Sequence, residues 1–232
     1  MLRVENLSVA YGSVRALDDV SLEVKEGGVL HGIIGPNGAG KSTLMDAITG
    51  RRKPTRGRVY VDGRDITSLS VARRRRLGMS RSFQRTSIFP GFRVGEQLEL
   101  VASHLGEKDL AGIVETLNLG DVYGEIADKI AYGDQRRVDI ALALVGRPTL
   151  MLLDEPAAGL STAETTVLFE HLAAIVRDRN VAALVVEHDV EAVFRFCDTI
   201  TALDLGRVLA QGAPAEVRKD PCVIAAYLGT AA

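Results

Sequence analysis

The sequence predicts an α/β fold whose central sheet is mainly parallel. Three observations carry that expectation. "VLHGIIG" (Val29–Gly35), Leu150–Leu153 and Val181–Val186 are unbroken apolar runs, the pattern of strands covered on both faces. Between the last two, Leu168, Leu172 and Ile175 recur at the spacing of one helix face, so strand, helix and strand alternate as in a parallel βαβ unit. From about residue 85 to 147 the pattern is helical instead, as in "LAGIVETLNLG" and "RRVDIALALVG", which reads as a helical insert between sheet strands.

The elements follow in chain order. Leu2–Tyr11 and Val20–Val24 alternate polar and apolar residues like strands of a half-exposed sheet. Lys41–Gly50 carries Leu44, Ala47 and Ile48 at helical spacing, with Gly50 as a stop. Arg58–Gly63 reads as a strand and a turn, and Arg73–Arg76 as a solvated helix face beside the sheet. The tail from Gly206 reads as a two-strand turn, then short helices ending in an apolar Ala225–Leu228 patch. The whole is expected to form one domain, 1–232, with a core of about 1–84 and 148–232 and a helical subdomain of about 85–147.

Composition narrows the function. With 47% hydrophobic and 25% charged residues and a net charge of −2, the chain resembles an ordinary globular protein and lacks the basic excess of a nucleic-acid binder, so no nucleic-acid partner is expected. No apolar run approaches the ~20 residues a membrane helix needs, so contact with a membrane is expected only through a partner. The start of the chain shows no signal-peptide pattern. Cys197 and Cys222 lack metal-type spacing and read as reduced thiols of a cytosolic protein.

Two motifs carry chemistry. "GPNGAGKST" (Gly35, Pro36, Asn37, Gly38, Ala39, Gly40, Lys41, Ser42, Thr43) has the phosphate-loop spacing G-x-x-x-x-G-K-[ST] between a strand and a helix. Its glycines let successive N–H groups turn inward around phosphates, and the helix aims its positive end at the same charge. Lys41 is placed for the β- and γ-phosphates and the Ser42 hydroxyl for Mg²⁺. "TLMLLDEP" (Thr149–Pro156) is an apolar strand ending in two acids; Asp154 is placed to hold Mg²⁺ and Glu155 to polarise an attacking water. Together they predict a P-loop NTPase that binds a nucleoside triphosphate with Mg²⁺.

Further stretches resemble the ATP-binding subunits of ABC transporters over essentially the whole chain. Tyr11 in "VAYGS" matches the aromatic that stacks on adenine. Gln84 in "SRSFQRTSIFP" matches the Q-loop glutamine that reaches Mg²⁺ and the attacking water, and His188 in "VVEHDVEAV" the switch histidine at the γ-phosphate. "IAYGDQRR" falls where the family carries its signature loop, usually LSGGQ: Ala131 stands for the serine, Tyr132 for the first glycine, Gly133 is kept, and Asp134 and Gln135 follow. In "AAGLST", Ser161 stands where the family usually has aspartate, which puts coupling between two ATP sites in question.

The resemblance implies a RecA-like core with an antiparallel β subdomain and an inserted α-helical subdomain. It implies a second ATPase subunit, identical or related, that dimerises with this one around two ATPs. It also implies transmembrane permease subunits, a periplasmic or extracellular substrate-binding protein, and residence on the inner face of the cell membrane. "AYGDQRR", "DEPAAGLS", "EHDVEAV" and the tail look like the branched-chain amino-acid importer subgroup. Export, or a soluble role without transport, stays open.

Overall fold

The computed structural model describes residues 1–25, 27–82 and 86–228. The chain opens with β1 (Leu2–Tyr11) and β2 (Val14–Val24), joined at Gly12, which takes φ 61°, with Tyr11 paired to Val14 across the turn. Then come β3 (Leu30–Ile34), α1 (Lys41–Thr49), β4 (Arg56–Val61), β5 (Arg64–Asp65), α2 (Val71–Arg76) and β6 (Met79–Arg81). The helical stretch is α3 (Val94–Leu105), α4 (Leu110–Thr116), a short 3-10 turn and α5 (Tyr132–Leu144). The remainder alternates: β7 (Leu150–Asp154), α6 (Thr162–Asp178), β8 (Ala182–Val186), α7 (Val190–Phe196), β9 (Thr199–Asp204), β10 (Arg207–Gly212), α8 (Pro214–Val217) and α9 (Pro221–Leu228).

Two sheets result. The larger has the order β10-β9-β3-β8-β7-β6, parallel from β9 to β6 with β10 antiparallel at one edge. The smaller, β2-β1-β4-β5, is antiparallel. The larger sheet is covered on both faces, which is why its strands are apolar throughout. In β7, Leu150 and Leu152 join the core shared with the small sheet and α1, whereas Met151 and Leu153 join the core beneath the helices. Successive strand side chains point to opposite faces, so a single strand feeds both cores.

Three expectations need correction. The second strand begins at Val14, not Val20, because β1 and β2 pair through three register shifts that break the visible alternation. The tail supplies one strand, β10, whose partner β9 lies upstream of it. The arginine run is not a uniformly solvated face. Arg74 is 2% exposed and donates to the carbonyls of Leu69, Thr67, Ala47 and Ile48 at 2.5–3.1 Å. Two of these carbonyls close the C-terminal end of α1, where a cation meets the negative end of the helix dipole. Arg75 donates to Val145 O just past α5, at 2.7 Å.

Candidate functional site

The phosphate-loop motif spans the connection from β3 to α1. Gly35 has φ 155°, and a Cβ there would lie 2.2 Å from Leu203 O; Gly40 has φ 102°, and a Cβ there would lie 2.7 Å from Ala16 O. No larger residue fits either position while the loop keeps this path. Gly40 is also the N-cap of α1 and offers no side-chain acceptor, so the first N–H groups of the helix are left for a ligand. Lys41 is buried at the start of α1, its Nζ donating to Gly35 O at 2.6 Å and Pro36 O at 3.1 Å. Desolvation pulls its pKa down, against the opposing pull of Glu155 and Asp154.

The same loop lines a cleft of about 220 Å³ with residues from Asn37 to Thr43, and Glu155 and His188 line it too. These groups come from three stretches of sequence, and β3 and β7 deliver two of them because both flank β8. His188 follows β8 directly, and its Nε2 lies 2.9 Å from Glu155 Oε1. Glu155 is held at φ 49°, a left-handed conformation that costs an L-residue ~1–2 kcal/mol. Hydrogen bonds offset that cost: its N–H donates to Val186 O at 2.8 Å, and its carbonyl accepts from Arg136 of α5 at 2.6 Å.

Asp154, at the end of β7, is 7% exposed and is not among the residues that line the cleft. Its Oδ2 accepts from Arg81 at 2.6 Å. Tyr11 is 44% exposed rather than part of a core, with the Arg52 guanidinium over its ring at 4.1 Å. Gln84 lies outside the described residues.

The signature stretch does not reach the phosphate cleft of its own chain. Ala131, Gly133 and Asp134 line a separate cleft of about 320 Å³ beside Leu160 and Glu164. Ala131 is the N-cap of α5 and supplies no side-chain acceptor; Tyr132 is exposed, and Asp134 pairs with Arg137. Gln135 stays at home, its Nε2 donating to Ile130 O at 3.1 Å. Ser161 is the N-cap of α6 in a reciprocal capping box with Glu164: Ser161 N–H donates to Oε2 at 2.8 Å and Ser161 Oγ–H to the same oxygen at 2.6 Å.

Three buried ionic side chains around this site escape sequence reasoning. Arg81 and Arg136 sit in stretches with other arginines, and nothing marks them in the sequence. Glu187 is 3% exposed; its Oε1 accepts from Ala157 N–H at 2.6 Å and its Oε2 from His188 N–H at 3.1 Å. It ties the turn after Glu155 to the segment carrying the histidine, and burial raises its pKa. The signal that could have found it is an acid directly after a fully apolar strand.

Comparison with known proteins agrees with this architecture. Residues 17–158 match the ABC transporter family model, and residues 207–232 match the model for branched-chain amino acid ATP-binding cassette transporters. The high-affinity branched-chain amino acid transport ATP-binding protein BraF of Pseudomonas aeruginosa is 37% identical, with 100% of this chain and 98% of that protein covered. The crystal structure of MJ1267, an ATP-binding cassette of an ABC transporter in its ADP conformation, superposes with TM-score 0.88 at 31% identity, over 99% of this chain and 98% of that one. A dimeric post-hydrolysis cassette, MJ0796 bound to ADP and Pi, aligns with TM-score 0.77 at 26% identity, over 92% of this chain and 99% of that one. With its phosphate loop, its acid-tipped strand and its inserted helices in this arrangement, the chain belongs to the ABC transporter family as an ATP-binding subunit.

Proposed function

We propose that this subunit binds Mg²⁺-ATP, dimerises around two nucleotides and hydrolyses them to drive import of branched-chain or other hydrophobic amino acids. The observation that carries the catalytic reading is the single cleft that gathers the phosphate loop, Glu155 and His188, with the last two 2.9 Å apart. The cargo rests on the likeness to BraF and on the tail match.

The residues fit the groups they would hold. Uncapped N–H groups at the start of α1 and the Lys41 ammonium suit a polyphosphate. The Ser42 hydroxyl and the Asp154 carboxylate are the hard oxygen donors that Mg²⁺ prefers, with Gln84 as a further candidate. Bound Mg²⁺ would supply charge neutralisation on the phosphates. Lys41 exchanges its loop carbonyls for phosphate oxygens. Glu155 takes the proton of the attacking water, and His188 holds the Glu155 carboxylate and faces the terminal phosphate. Tyr11 offers its ring to adenine.

Ala131 to Gln135 complete the site of the second subunit: the N-terminal end of α5 gives backbone donors to a nucleotide held by the partner. The helical subdomain, about 85–147, then moves with respect to the core, about 1–84 and 148–232. A cytoplasmic segment of the permease occupies the cleft between them, beside α2 and α5. That partnership places the subunit on the inner face of the membrane, in a system with a substrate-binding protein.

The test is ATP turnover at rising protein concentration, beside Glu155→Gln. Turnover should rise more steeply than linearly. The variant should lose at least a hundredfold in kcat while retaining nucleotide and forming an ATP-dependent dimer. Linear turnover, or a variant as fast as wild type, defeats the reading.

A further inference from the structure

Arg52 lies just past α1, beside the Tyr11 ring. Gly50 ends the helix in a left-handed conformation, φ 81°, and Arg52 N–H then donates to Asp46 O at 3.0 Å, which fixes the Arg52 backbone against the last turn. The side chain is held as well. β4 pairs with β1 only as far as Ser8, whose carbonyl accepts from Thr55 N–H at 2.8 Å. Two residues further along β1, Ala10 O accepts from Arg52 Nη2 at 2.9 Å, a side chain in place of a strand.

The guanidinium that makes this bond lies over the Tyr11 ring, its central carbon 4.1 Å from the ring centroid. At that distance a cation is attracted to the π face, and a planar guanidinium can also stack on it. Among the described residues no carboxylate comes within ion-pair distance of Arg52, so the ring face is what its charge meets. Tyr11 is still 44% exposed with the guanidinium in place, so the ring keeps surface for a second partner. The β1–β2 hairpin that carries Tyr11 continues to Ala16, which lines the phosphate cleft.

We propose that Arg52 is the positioning residue of Tyr11: it backs one face of the ring and fixes its plane, and the adenine of the bound nucleotide stacks on the other face, in the order guanidinium, phenol, purine. This rests on the reading of Tyr11 as the adenine platform of an ATP site. Tyr11 sits at the tip of a hairpin, and a ring held in one orientation beforehand loses less freedom when the base arrives. That saving appears as affinity for the base and not for the phosphates.

The experiment titrates the full chain calorimetrically, in Mg²⁺, with ADP and with inorganic pyrophosphate, which offers phosphates without the base. Tyr11→Ala should raise the Kd for ADP about tenfold and leave that for pyrophosphate within about twofold. Arg52→Met should raise the Kd for ADP about fivefold, again leaving pyrophosphate within about twofold. In the Tyr11→Ala chain, Arg52→Met should change ADP affinity by less than about 1.5-fold, because its path runs through the ring. Arg52→Lys keeps the charge without the planar fork and should fall between wild type and Arg52→Met. Thermal melts check that each variant is folded, and Arg52→Lys carries the same comparison if Arg52→Met is not.

Folded Arg52 variants that bind ADP like wild type, or that lose ADP and pyrophosphate affinity equally, overturn the positioning role; in the second case the charge acts on the phosphates directly. Tighter ADP binding by Arg52→Met means that the guanidinium occupies the face the base needs, and overturns the stacking order. An Arg52 effect that persists without Tyr11 overturns the path through the ring. If Tyr11→Ala itself leaves ADP affinity unchanged, the reading of Tyr11 as the adenine platform fails, and this inference fails with it.

Discussion

Single side chains at the helix ends of this cassette can be tested one at a time. Ala131 heads α5 without a capping oxygen, at the position where the family's signature has serine. Ala131→Ser restores an acceptor for the first turn, and we expect it to stabilise the fold by about 1 kcal/mol in urea titrations. If Ala131 faces a nucleotide held by a second subunit, as proposed, the same hydroxyl would add one charge-assisted hydrogen bond, and turnover per subunit should rise by up to about tenfold at fixed protein concentration. A variant that gains stability without turnover would confine Ala131 to its helix.

Which residues of the site are legible in sequence follows from how each is placed. The phosphate loop, Asp154–Glu155 and His188 each sit at the end of an apolar strand, so motif and strand pattern together mark them, and the structure brings the loop, Glu155 and His188 into one cleft. Arg81 and Arg136 act through partners 73 and 19 positions away, and no local pattern announces such pairs. Ser161 illustrates the opposite case. Its sequence suggests a lost aspartate, yet serine caps a helix as well as aspartate does, and the capping box with Glu164 is complete.

At the level of elements, buried strands and amphipathic helices were readable because period and length separate them. β3, β7 and β8 lie within a residue or two of their apolar runs, and α1 and α6 fall where Leu44 and Leu168 pointed. β5 and β6, of two and three residues, are too short to show a period. Arg74 departs from the solvated face that a charge run usually forms, because the connection into α2 and the end of α1 together supply four carbonyls to satisfy it. Burial lowers its pKa to about 10, so it remains charged at neutral pH. Arg74→Met leaves those carbonyls without their donor, and we expect a loss of about 3 kcal/mol by urea denaturation. A loss below about 0.5 kcal/mol would mean that α1 and α2 meet through apolar contacts alone.

The molecule as a whole carries a buried pH-sensitive group that does not line the phosphate cleft. His31 in β3 is fully buried between two hydroxyls of β9, Thr199 Oγ1 at 2.7 Å and Thr201 Oγ1 at 2.8 Å. Desolvation lowers its pKa from 6.5 to about 4, so the unfolded chain binds the proton first as pH falls. Stability from this group is intact above about pH 6.5 and drains away toward pH 4, with about 2 kcal/mol gone between pH 7 and pH 5. His31→Gln cannot titrate, so its denaturation midpoint should fall less steeply over that interval than that of the wild type. Parallel slopes would place the acid sensitivity elsewhere.

The strand order sets the time at which this protein can become itself. β3, which leads into the phosphate loop, is hydrogen-bonded to β8 on one side and β9 on the other: His31 faces Leu184 and Thr199 across the sheet. Both neighbours are synthesised some 150 residues later. At ~5–20 residues per second, a newborn chain carries that strand unpaired for roughly 8–30 s while its apolar residues stand open to chaperones and proteases. The nucleotide cradle is thus one of the first parts written and one of the last to close, and a ribosome that stalls after α6 leaves a chain that cannot yet assemble it.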